Sequence, residues 1–296
     1  MANEPLVSIL TPSFNQARWL VDNLQSVAQQ TYPHIEHIVM DGGSTDGTVD
    51  LLAQAGARVT WQSEPDRGQS HALNKALAAS TGEIIGWINS DDAYYDVDAV
   101  AAVAQCFARH PDVDVVYGHA ALVNADGRIL QMLWAPPFRY GLLRLTNFIV
   151  QPAAFIRRSA LGATLVDETF HYAMDYELWL RLGQERRIAK INHVVAIDRN
   201  YPERKSVART DLAEIDYARL RRDYGAHNFS PPAAARARQR TLKIALRLMG
   251  VSLVPKTSAH LAFDGSCDSM ARLAARQIAV PRATMMAREQ RSAQSS

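Results

Sequence analysis

The chain has 296 residues, of which 48% are hydrophobic and 21% are charged, so it can bury a sizeable core and is globular in composition. The opening MANEPLVSIL lacks a basic segment followed by a long apolar one, and no apolar run approaches the roughly 20 residues of a membrane span. Cys106 and Cys267 are too few for a metal cluster or a disulfide framework, which suits a reducing compartment. We therefore expect a cytoplasmic protein.

The small net charge of +2 hides an uneven distribution along the chain. Residues 231–296 hold 11 Lys or Arg against 3 Asp or Glu, whereas residues 1–230 hold 21 against 27. A basic tail could touch nucleic acid or anionic lipid, but an acidic body argues against a nucleic-acid-binding protein.

Four short runs rich in Val and Ile predict strands in the first hundred residues, and segments with helical periodicity separate them. The runs are residues 6–10, 35–40, 57–61 and 83–88. Alternation of strand and helix indicates an α/β fold with a mostly parallel sheet and helices on both faces. Ligands of such sheets bind beyond the carboxyl ends of the strands.

Polar residues or glycine follow all four predicted strands. The segments are residues 11–15 (TPSFN), 41–47 (DGGSTDG), 63–68 (SEPDRG) and 89–92 (NSDD). Each alone is compatible with a turn, because turns favour these residue types. Four together at one sheet edge predict a binding site there.

The alternation stops near residue 113. A hairpin is predicted around residues 124–127, followed by a short helix within 136–147 and a strand at 152–157. A helix from Met174, a strand at 187–197 and a charged helix at about 204–224 complete the body. We expect one domain over 1–230, with a nucleotide-binding half at about 1–112 and an acceptor and catalytic half at about 113–230.

Residues 231–296 are predicted to form a basic helical tail with a disordered end. The segment at 233–256 has Leu and Met on one helical face and Arg and Lys around the other. Its apolar face could dock on the body or on a partner subunit, or it could lie on a membrane surface.

The adjacent carboxylates of Asp91 and Asp92 end the fourth predicted strand. They could form a solvated turn, with Asp92 capping a helix that starts near Asp96. They could equally hold a divalent cation, whose charge would cancel their repulsion. The doublet alone does not decide between these readings.

Five motifs in this order resemble family 2 glycosyltransferases, and the resemblance covers roughly residues 5–206. They are VSILTPSFNQARWL, IVMDGGSTDGT, SEPDRGQSHALNKAL, TGEIIGWINSDD and HYAMDYELWLRL. The resemblance implies the GT-A fold and an inverting transferase that uses a nucleotide-diphospho-sugar donor and a Mn²⁺ or Mg²⁺ ion. A divalent ion would absorb the negative charge that the leaving diphosphate gains.

By this resemblance, Asp92 is the metal ligand, and Asp91 bonds the ribose or a metal-bound water. Asp41 hydrogen-bonds the base, while Thr11, Pro12 and Asn15 line the base and ribose pocket. UDP is the default nucleotide, with GDP and TDP open. Arg67 and Lys75 either meet phosphate or are solvated surface charges.

Inversion requires a base that removes the proton of the acceptor hydroxyl as its oxygen attacks the anomeric carbon. Asp175 is the candidate, because it occupies the position of the Asp in the family's Glu-Asp motif; Met174 replaces the Glu. The alternative is an acidic first-turn residue favoured by the helix dipole.

The acceptor side is implied to include Gln151 with Pro152, and His171. Trp134 and Tyr94 could stack on sugar rings or belong to the core. The acceptor is expected to be a glycan or a lipid-linked glycan in polysaccharide biosynthesis, which would place the enzyme on the inner face of a membrane as a peripheral protein.

Two departures from the family pattern limit the transfer of roles. Leu73 stands in an Ala-Leu-Asn stretch where many relatives have an Arg that contacts the nucleotide. Tyr201 stands where many have the His of an Arg-x-His-Pro segment; His119, His171 and His193 are alternatives for that role.

Three other classes of protein are alternatives to a glycosyltransferase. A carbohydrate-binding or scaffold protein on a decayed transferase fold is disfavoured by the joint presence of Asp41, Asp91, Asp92 and Asp175. A nucleotidyltransferase should show a Gly-rich phosphate loop after the first strand, and a dinucleotide dehydrogenase a GxGxxG motif. Residues 11–19 have neither.

Overall fold

The structure, a computed structural model, describes residues 4–204 and 210–227. Within these residues the chain forms an alternating series of strands and helices. In chain order they are β1 (Val7–Ser13), α1 (Ala17–Ala28), β2 (Ile35–Asp41), α2 (Thr48–Gln54), β3 (Thr60–Ser63), α3 (Gln69–Ala79), β4 (Ile84–Trp87), β5 (Ala93–Tyr94), α4 (Ala99–Arg109), β6 (Val115–Val123), β7 (Ile129–Leu133), α5 (Tyr140–Leu145), β8 (Ala154–Arg157), α6 (Met174–Glu185), β9 (Ile188–Arg199) and α7 (Thr210–Tyr224).

All the strands join one sheet, in the order β3-β2-β1-β4-β8-β6-β9-β5, with β7 paired to β6. The first four strands are mutually parallel, as the strand-helix alternation predicts. Beyond β4 the sheet is mixed, because β8 runs antiparallel to both β4 and β6, while β9 is parallel to β6. The second half of the chain therefore extends the same sheet.

The parallel register aligns the carboxyl ends of the first strands. Ser13 lies opposite Asp41, and Asp41 lies opposite Ser63. Leu10 pairs with Trp87, so the residues after β4 follow the same edge. The polar segments that are far apart in the sequence thus meet at one edge of the sheet.

Helices pack on both faces of the sheet, because alternate strand residues point to opposite sides. On one face Leu10, Ile85 and Tyr117 pack with α3, α5, α6 and α7. On the other face Ile9 and Val116 pack with α4 and the end of α1. The predicted α/β class with two covered faces is confirmed.

The predicted elements match the observed ones with shifted ends. The third strand begins at Thr60 rather than at 57, because Gly56 adopts a positive φ of 65° and Gly56–Arg58 forms a 3₁₀ turn. The helix expected near Asp96 begins at Ala99; its N-cap residue is Asp98, and the N–H of Val100 in its first turn donates to Gln30 Oε1 at 2.9 Å. The capping role considered for Asp92 is therefore wrong.

The C-terminal elements are described only in part. Helix α7 is described from Thr210, and residues 205–209 lie outside the described part, as does the predicted tail at 231–296 with its segment 233–256. Within residues 4–204 and 210–227, no helix is both long enough and apolar enough to cross a bilayer.

Gly86 tests how tightly the sheet centre is packed. A Cβ at this position would lie 2.7 Å from Cε1 of Phe155 and 2.9 Å from Cδ1 of Ile9. We expect Gly86→Ala to lower the free energy of unfolding by about 1–3 kcal/mol, because a filled core cannot accept the methyl group without strain. Urea denaturation measures the change.

Gly141→Ala is the matched control, because no atom lies within 4 Å of a Cβ built there, in the first turn of α5. It should leave stability unchanged or raise it by up to about 1 kcal/mol. Equal losses in the two variants would contradict the packing argument.

Candidate active site

Asp41 ends β2 and organises the loop that follows it. Its buried carboxylate accepts hydrogen bonds from the backbone N–H groups of Gly43 and Ser44, at 3.1 and 2.8 Å. The hydroxyls of Ser44 and Ser63 donate to it at 2.5 and 2.6 Å. Four donors hold this carboxylate, so it shapes the loop at the sheet edge.

Asn15 joins the loop after β1 to the loop after β2. It is the only non-glycine residue with a positive φ in the described part of the chain, at 52°, a conformation that Asn tolerates better than most residues. Its backbone N–H donates to Ser44 Oγ at 2.7 Å, and its Oδ1 accepts from the Thr45 N–H at 2.9 Å. The neighbouring Phe14 is 60% exposed, which is unusual for a large aromatic side chain.

Thr11 and Pro12 lie within β1 and are buried. The Thr11 hydroxyl lies 2.9 Å from Nε2 of His37 in the neighbouring strand. Burial lowers the pKa of His37 to about 3, so the ring is neutral. Thr11 and Pro12 thus lie beneath the surface of the sheet edge. Within residues 11–15, Phe14 and Asn15 are the residues exposed to solvent.

Asp91 and Asp92 follow β4 and have different surroundings. Asp92 is 1% exposed, and its two oxygens accept from the Arg199 N–H at 3.0 Å and from Asn89 Nδ2 at 3.2 Å. Asp91 is partly exposed and accepts from the Tyr201 hydroxyl at 2.8 Å. Burial, and then the charges of Asp91 and Asp198, raise the pKa of Asp92 well above its usual value.

Arg199, at the end of β9, holds four distant segments together. Its guanidinium pairs with Asp22 of α1 at 2.9 Å and donates to the carbonyl of Asp91 at 2.9 Å and to that of Ala125 at 3.4 Å. It also lies over the Trp19 ring, 4.5 Å from the centroid. The acidic pair is therefore fixed by main-chain and side-chain contacts from the last strand.

Tyr201 occupies the position where many relatives have a histidine. Its ring lies 5.5 Å from that of Trp19, centroid to centroid, and its hydroxyl bonds Asp91. Burial, and then the charge of Asp91, raise the pKa of this hydroxyl above its usual range. Tyr201 is therefore a neutral hydrogen-bond donor to the acidic pair.

A second ion pair lies beside the acidic pair. Asp198, next to Arg199, lies 2.6 Å from Nη2 of Arg204. Burial opposes ionisation of Arg204, but the charges of Asp198, Asp92 and Asp91 raise its pKa well above the usual value. The site thus contains a permanent cation of its own.

Asp175 lies in the first turn of α6 and is partly buried. Its Oδ2 accepts from Asn147 Nδ2 at 3.1 Å. Burial raises its pKa; hydrogen bonds from the backbone and from Asn147, and the charge of Arg204, oppose that rise. A raised pKa suits a carboxylate that accepts a proton near neutral pH.

The turn before Asp175 is held by Asp216 of α7. One oxygen of this buried carboxylate accepts from the backbone N–H groups of His171, Tyr172 and Ala173, at 3.0, 2.6 and 2.9 Å. These groups belong to the turn that leads into α6, whose N-cap residue is Ala173, so Asp216 fixes the start of that helix from a distant element. The side chain of His171 is exposed beside this turn.

The other two predicted acceptor residues, Gln151 and Trp134, have different surroundings. Gln151 is buried; it donates to the Trp87 carbonyl and accepts from Asn89 Nδ2 at 2.9 Å, so it braces the loop that carries the acidic pair. Trp134 packs edge-on against His119, with ring centroids 4.8 Å apart. Gln151 thus contacts the acidic loop, and Trp134 lies against His119 of β6.

The predicted phosphate-binding cations form surface ion pairs. Arg67 is exposed and pairs with Glu168 at 2.8 Å, and Lys75 pairs with Glu64 at 2.5 Å. Leu73 is fully buried in the core, so this position offers no polar contact to a nucleotide. The departure noted in the sequence is therefore a packing position in this chain.

The alternative histidines are engaged elsewhere. His193 pairs with Asp96 at 3.1 Å, and His119 accepts from the Ala135 N–H at 2.9 Å. Tyr94 is buried and stacks on Phe155, with ring centroids 5.8 Å apart, so it belongs to the core.

The carboxylates of Asp91 and Asp92 fit a divalent ion only if another molecule supplies further ligands. Within residues 4–204 and 210–227, no group of three His, Cys, Asp or Glu side chains could hold a metal by itself. Mg²⁺ is commonly bound by one or two carboxylates plus substrate phosphates. Asp91 and Asp92 match that pattern, and their mutual repulsion is what a cation would relieve.

These features define a class of protein. Polar loops at the carboxyl edge of a parallel sheet, together with an acidic pair and a helix-borne carboxylate of raised pKa, form a candidate active site of an enzyme. Comparison with known proteins gives the family: the model of glycosyl transferase family 2 matches residues 8–165, more than half of the chain. The chain belongs to this family and is a glycosyltransferase.

A curated relative and two solved structures illustrate the similarity. A PGL/p-HBAD biosynthesis glycosyltransferase of Mycobacterium bovis is 29% identical over 203 residues, covering 66% of this chain and 77% of that protein. Staphylococcus aureus TarS with UDP-GlcNAc has a TM-score of 0.58 at 16% identity, covering 83% of this chain and 73% of the other. A Pyrobaculum calidifontis mannosyltransferase with GDP-Man and Mn²⁺ has a TM-score of 0.56 at 23% identity, covering 98% and 81%. The GT-A fold is confirmed.

Sequence reasoning missed four residues that the structure brings to the site: Phe14, Asn147, Asp198 and Arg204. Phe14 lies within the first family motif, but the sequence does not show that its side chain is exposed. Asp198 and Arg204 flank the Arg-Asn-Tyr-Pro segment. The two charged residues can be seen in the sequence, but their pairing cannot.

Arg199→Ala should lower the free energy of unfolding by about 3–5 kcal/mol, because it leaves the buried Asp22 carboxylate without its partner. Urea denaturation measures the loss. Arg222→Ala is the control, since Arg222 is 72% exposed in its pair with Asp223 and should change stability by no more than about 0.5 kcal/mol. A loss below about 1 kcal/mol for Arg199→Ala would show that Asp22 is solvated in solution.

Proposed function

We propose that the protein is an inverting transferase that moves a sugar from a nucleotide-diphospho-sugar to a hydroxyl of a glycan acceptor. The observation that carries this proposal is the joint placement of Asp91 and Asp92 after β4 and of Asp175 on α6, with the charge of Arg204 acting on both groups. One group of carboxylates suits the donor side and the other suits proton removal.

The nucleotide site is proposed at the edge formed by the loops after β1 and β2. Phe14 presents an exposed aromatic face that suits stacking on a base, beside the Asn15 and Ser44 contacts. Asp41 supports this site by fixing the loop, and a hydrogen bond from a base N–H would replace one of its serine donors. Uracil and guanine both carry such an N–H, so UDP and GDP are the donors to test, with UDP first.

The proposed ion is Mn²⁺ or Mg²⁺, held by Asp92 with support from Asp91. When bound, it neutralises negative charge on the diphosphate. The protein's own residues prepare the position: Arg199 fixes Asp92, and Tyr201 fixes Asp91. The mannosyltransferase of similar fold was solved with Mn²⁺, which is consistent with this proposal.

Asp175 is proposed as the base. In the transfer step the acceptor oxygen forms a bond to the anomeric carbon while the bond from that carbon to the diphosphate oxygen breaks, and the leaving oxygen keeps the electron pair. The proton of the acceptor hydroxyl passes to Asp175. Asn147 positions the carboxylate and favours its charged form through the hydrogen bond to Oδ2.

The acceptor is proposed to be a glycan or a lipid-linked glycan, consistent with the role of the mycobacterial relative in PGL/p-HBAD biosynthesis. The exposed His171 near Asp175 is the described residue best placed to meet it. Action at the cytoplasmic face of a membrane through residues 233–256 remains a proposal on a segment outside the described residues.

Nucleotide binding tests the donor site. We expect UDP or GDP at 100 times its dissociation constant to stabilise the wild-type protein by roughly 2.7 kcal/mol with Mn²⁺, and much less with EDTA. Thermal unfolding with UDP, GDP, TDP and CDP measures this.

Asp92→Asn tests whether this stabilisation depends on the proposed metal ligand. It should raise the melting temperature of the protein without ligands, because it removes a buried charge that Asp91 and Asp198 repel. It should also lose the metal-dependent stabilisation. If no diphosphate stabilises the wild type, the donor site is wrong and a carbohydrate-binding role becomes the better account.

The base is tested by two variants assayed with a donor that binds. Asp175→Asn should lose 10² or more in kcat, because it cannot accept the proton. Asn147→Ala should raise the pKa of Asp175 further, since it removes a donor to the charged form, and should move the acidic limb of the kcat/KM pH profile to higher pH. An unshifted limb would show that Asp175 is not the titrating base.

A further inference from the structure

The ion pair of Asp198 and Arg204 is a feature that the proposed reaction has not used. Nη2 of Arg204 lies 2.6 Å from Oδ1 of Asp198, and the two side chains are 21% and 13% exposed. Asp198 lies near the end of β9, one residue before the arginine that fixes the acidic loop. Arg204 lies three residues beyond Tyr201, which bonds Asp91.

The charge of Arg204 acts on two groups of carboxylates in the site. It acts on Asp91, Asp92 and Asp198 on the donor side and on Asp175 at the start of α6. Arg199, the other buried guanidinium beside the acidic loop, is committed to Asp22 and to backbone carbonyls. Arg204, held against Asp198, therefore supplies a positive charge that acts on both the acidic pair and Asp175.

A purely structural role accounts poorly for this arrangement. A buried ion pair seldom stabilises a fold more than apolar residues of the same volume, because both charges must be desolvated. Here the cost is higher, since Asp198 also lies within the field of Asp91. A guanidinium held in place by one carboxylate is, in contrast, well suited to bind a second anion through its planar array of N–H donors.

We propose that Arg204, held by Asp198, donates hydrogen bonds to the diphosphate of the sugar nucleotide and stabilises it as the leaving group. This inference rests on the proposed function. It gives the site a cation of its own at the segment where Tyr201 replaces a histidine, so part of the charge on the leaving group is neutralised by the protein. Asp198 is a positioning residue in this account.

The test compares binding of a nucleoside diphosphate with binding of its monophosphate in Mn²⁺, by calorimetry. The pair is UDP with UMP, or GDP with GMP, whichever diphosphate the wild type binds. The variants are Arg204→Gln, Asp198→Asn and the double variant with both changes. The double variant removes one charge of each sign, so it keeps the net charge of the wild-type site and leaves no unpaired buried carboxylate at Asp198.

We expect Arg204→Gln and the double variant each to weaken diphosphate binding by about 10- to 100-fold, the loss of a charge-assisted hydrogen bond, and monophosphate binding by less than about threefold. The double variant should regain the thermal stability that Arg204→Gln loses. Arg204→Lys should restore part of the diphosphate affinity because it keeps the charge. Arg222→Gln is the surface control and should leave both affinities unchanged.

Two results would overturn the inference. Wild-type diphosphate affinity in the double variant would show that Arg204 only neutralises Asp198. Equal losses for monophosphate and diphosphate would show general damage to the site. A wild-type protein that binds no nucleoside diphosphate is a different result, since it rejects the proposed function and the inference falls with it.

Discussion

The arrangement of the site depends on one buried arginine. Arg199 pairs with Asp22, donates to the Asp91 carbonyl and, through its backbone N–H, to the Asp92 carboxylate. Helix α1, the loop after β4 and the last strand are joined through this one residue. Because Asp91 and Asp92 repel each other, their loop needs such an external anchor, and the guanidinium provides it through the backbone carbonyl of Asp91.

The charge of Asp92 is electrostatically unfavourable in the folded protein. Asp92 is buried beside two other acidic groups, and its raised pKa records the energetic cost of its charge. The charge of Arg204 offsets part of that cost, and Tyr201 donates a hydrogen bond to the neighbouring Asp91. Functional sites commonly retain such unfavourable electrostatics, because the missing charge is supplied by the ligand. A divalent ion and a diphosphate together would supply both signs of charge.

The departures from the family pattern follow from packing. Leu73 lies in the core, and the Tyr201 ring packs against Trp19 at a tilt of 38°. Leu73 therefore offers no polar contact, whereas Tyr201 keeps one, because its hydroxyl donates to Asp91. Asn74, next to Leu73, holds the loop at 165–166 through its side-chain oxygen, at 3.0 and 3.2 Å from two backbone N–H groups. These contacts hold the segment that leads towards α6.

The sequence by itself determined the strand-helix alternation, the polar strand ends and the family, because hydrophobic periodicity and short motifs are local properties of the chain. Asp41, Asp91, Asp92 and Asp175 could all be selected from it. Only the tertiary structure decided that Thr11 faces His37, that Gln151 braces the acidic loop and that Phe14 is exposed. It alone joined Arg199 to Asp22 and Asp216 to the start of α6, across 177 and about 45 residues. Such contacts depend on sheet order and register, which bring distant segments together and which no local pattern specifies.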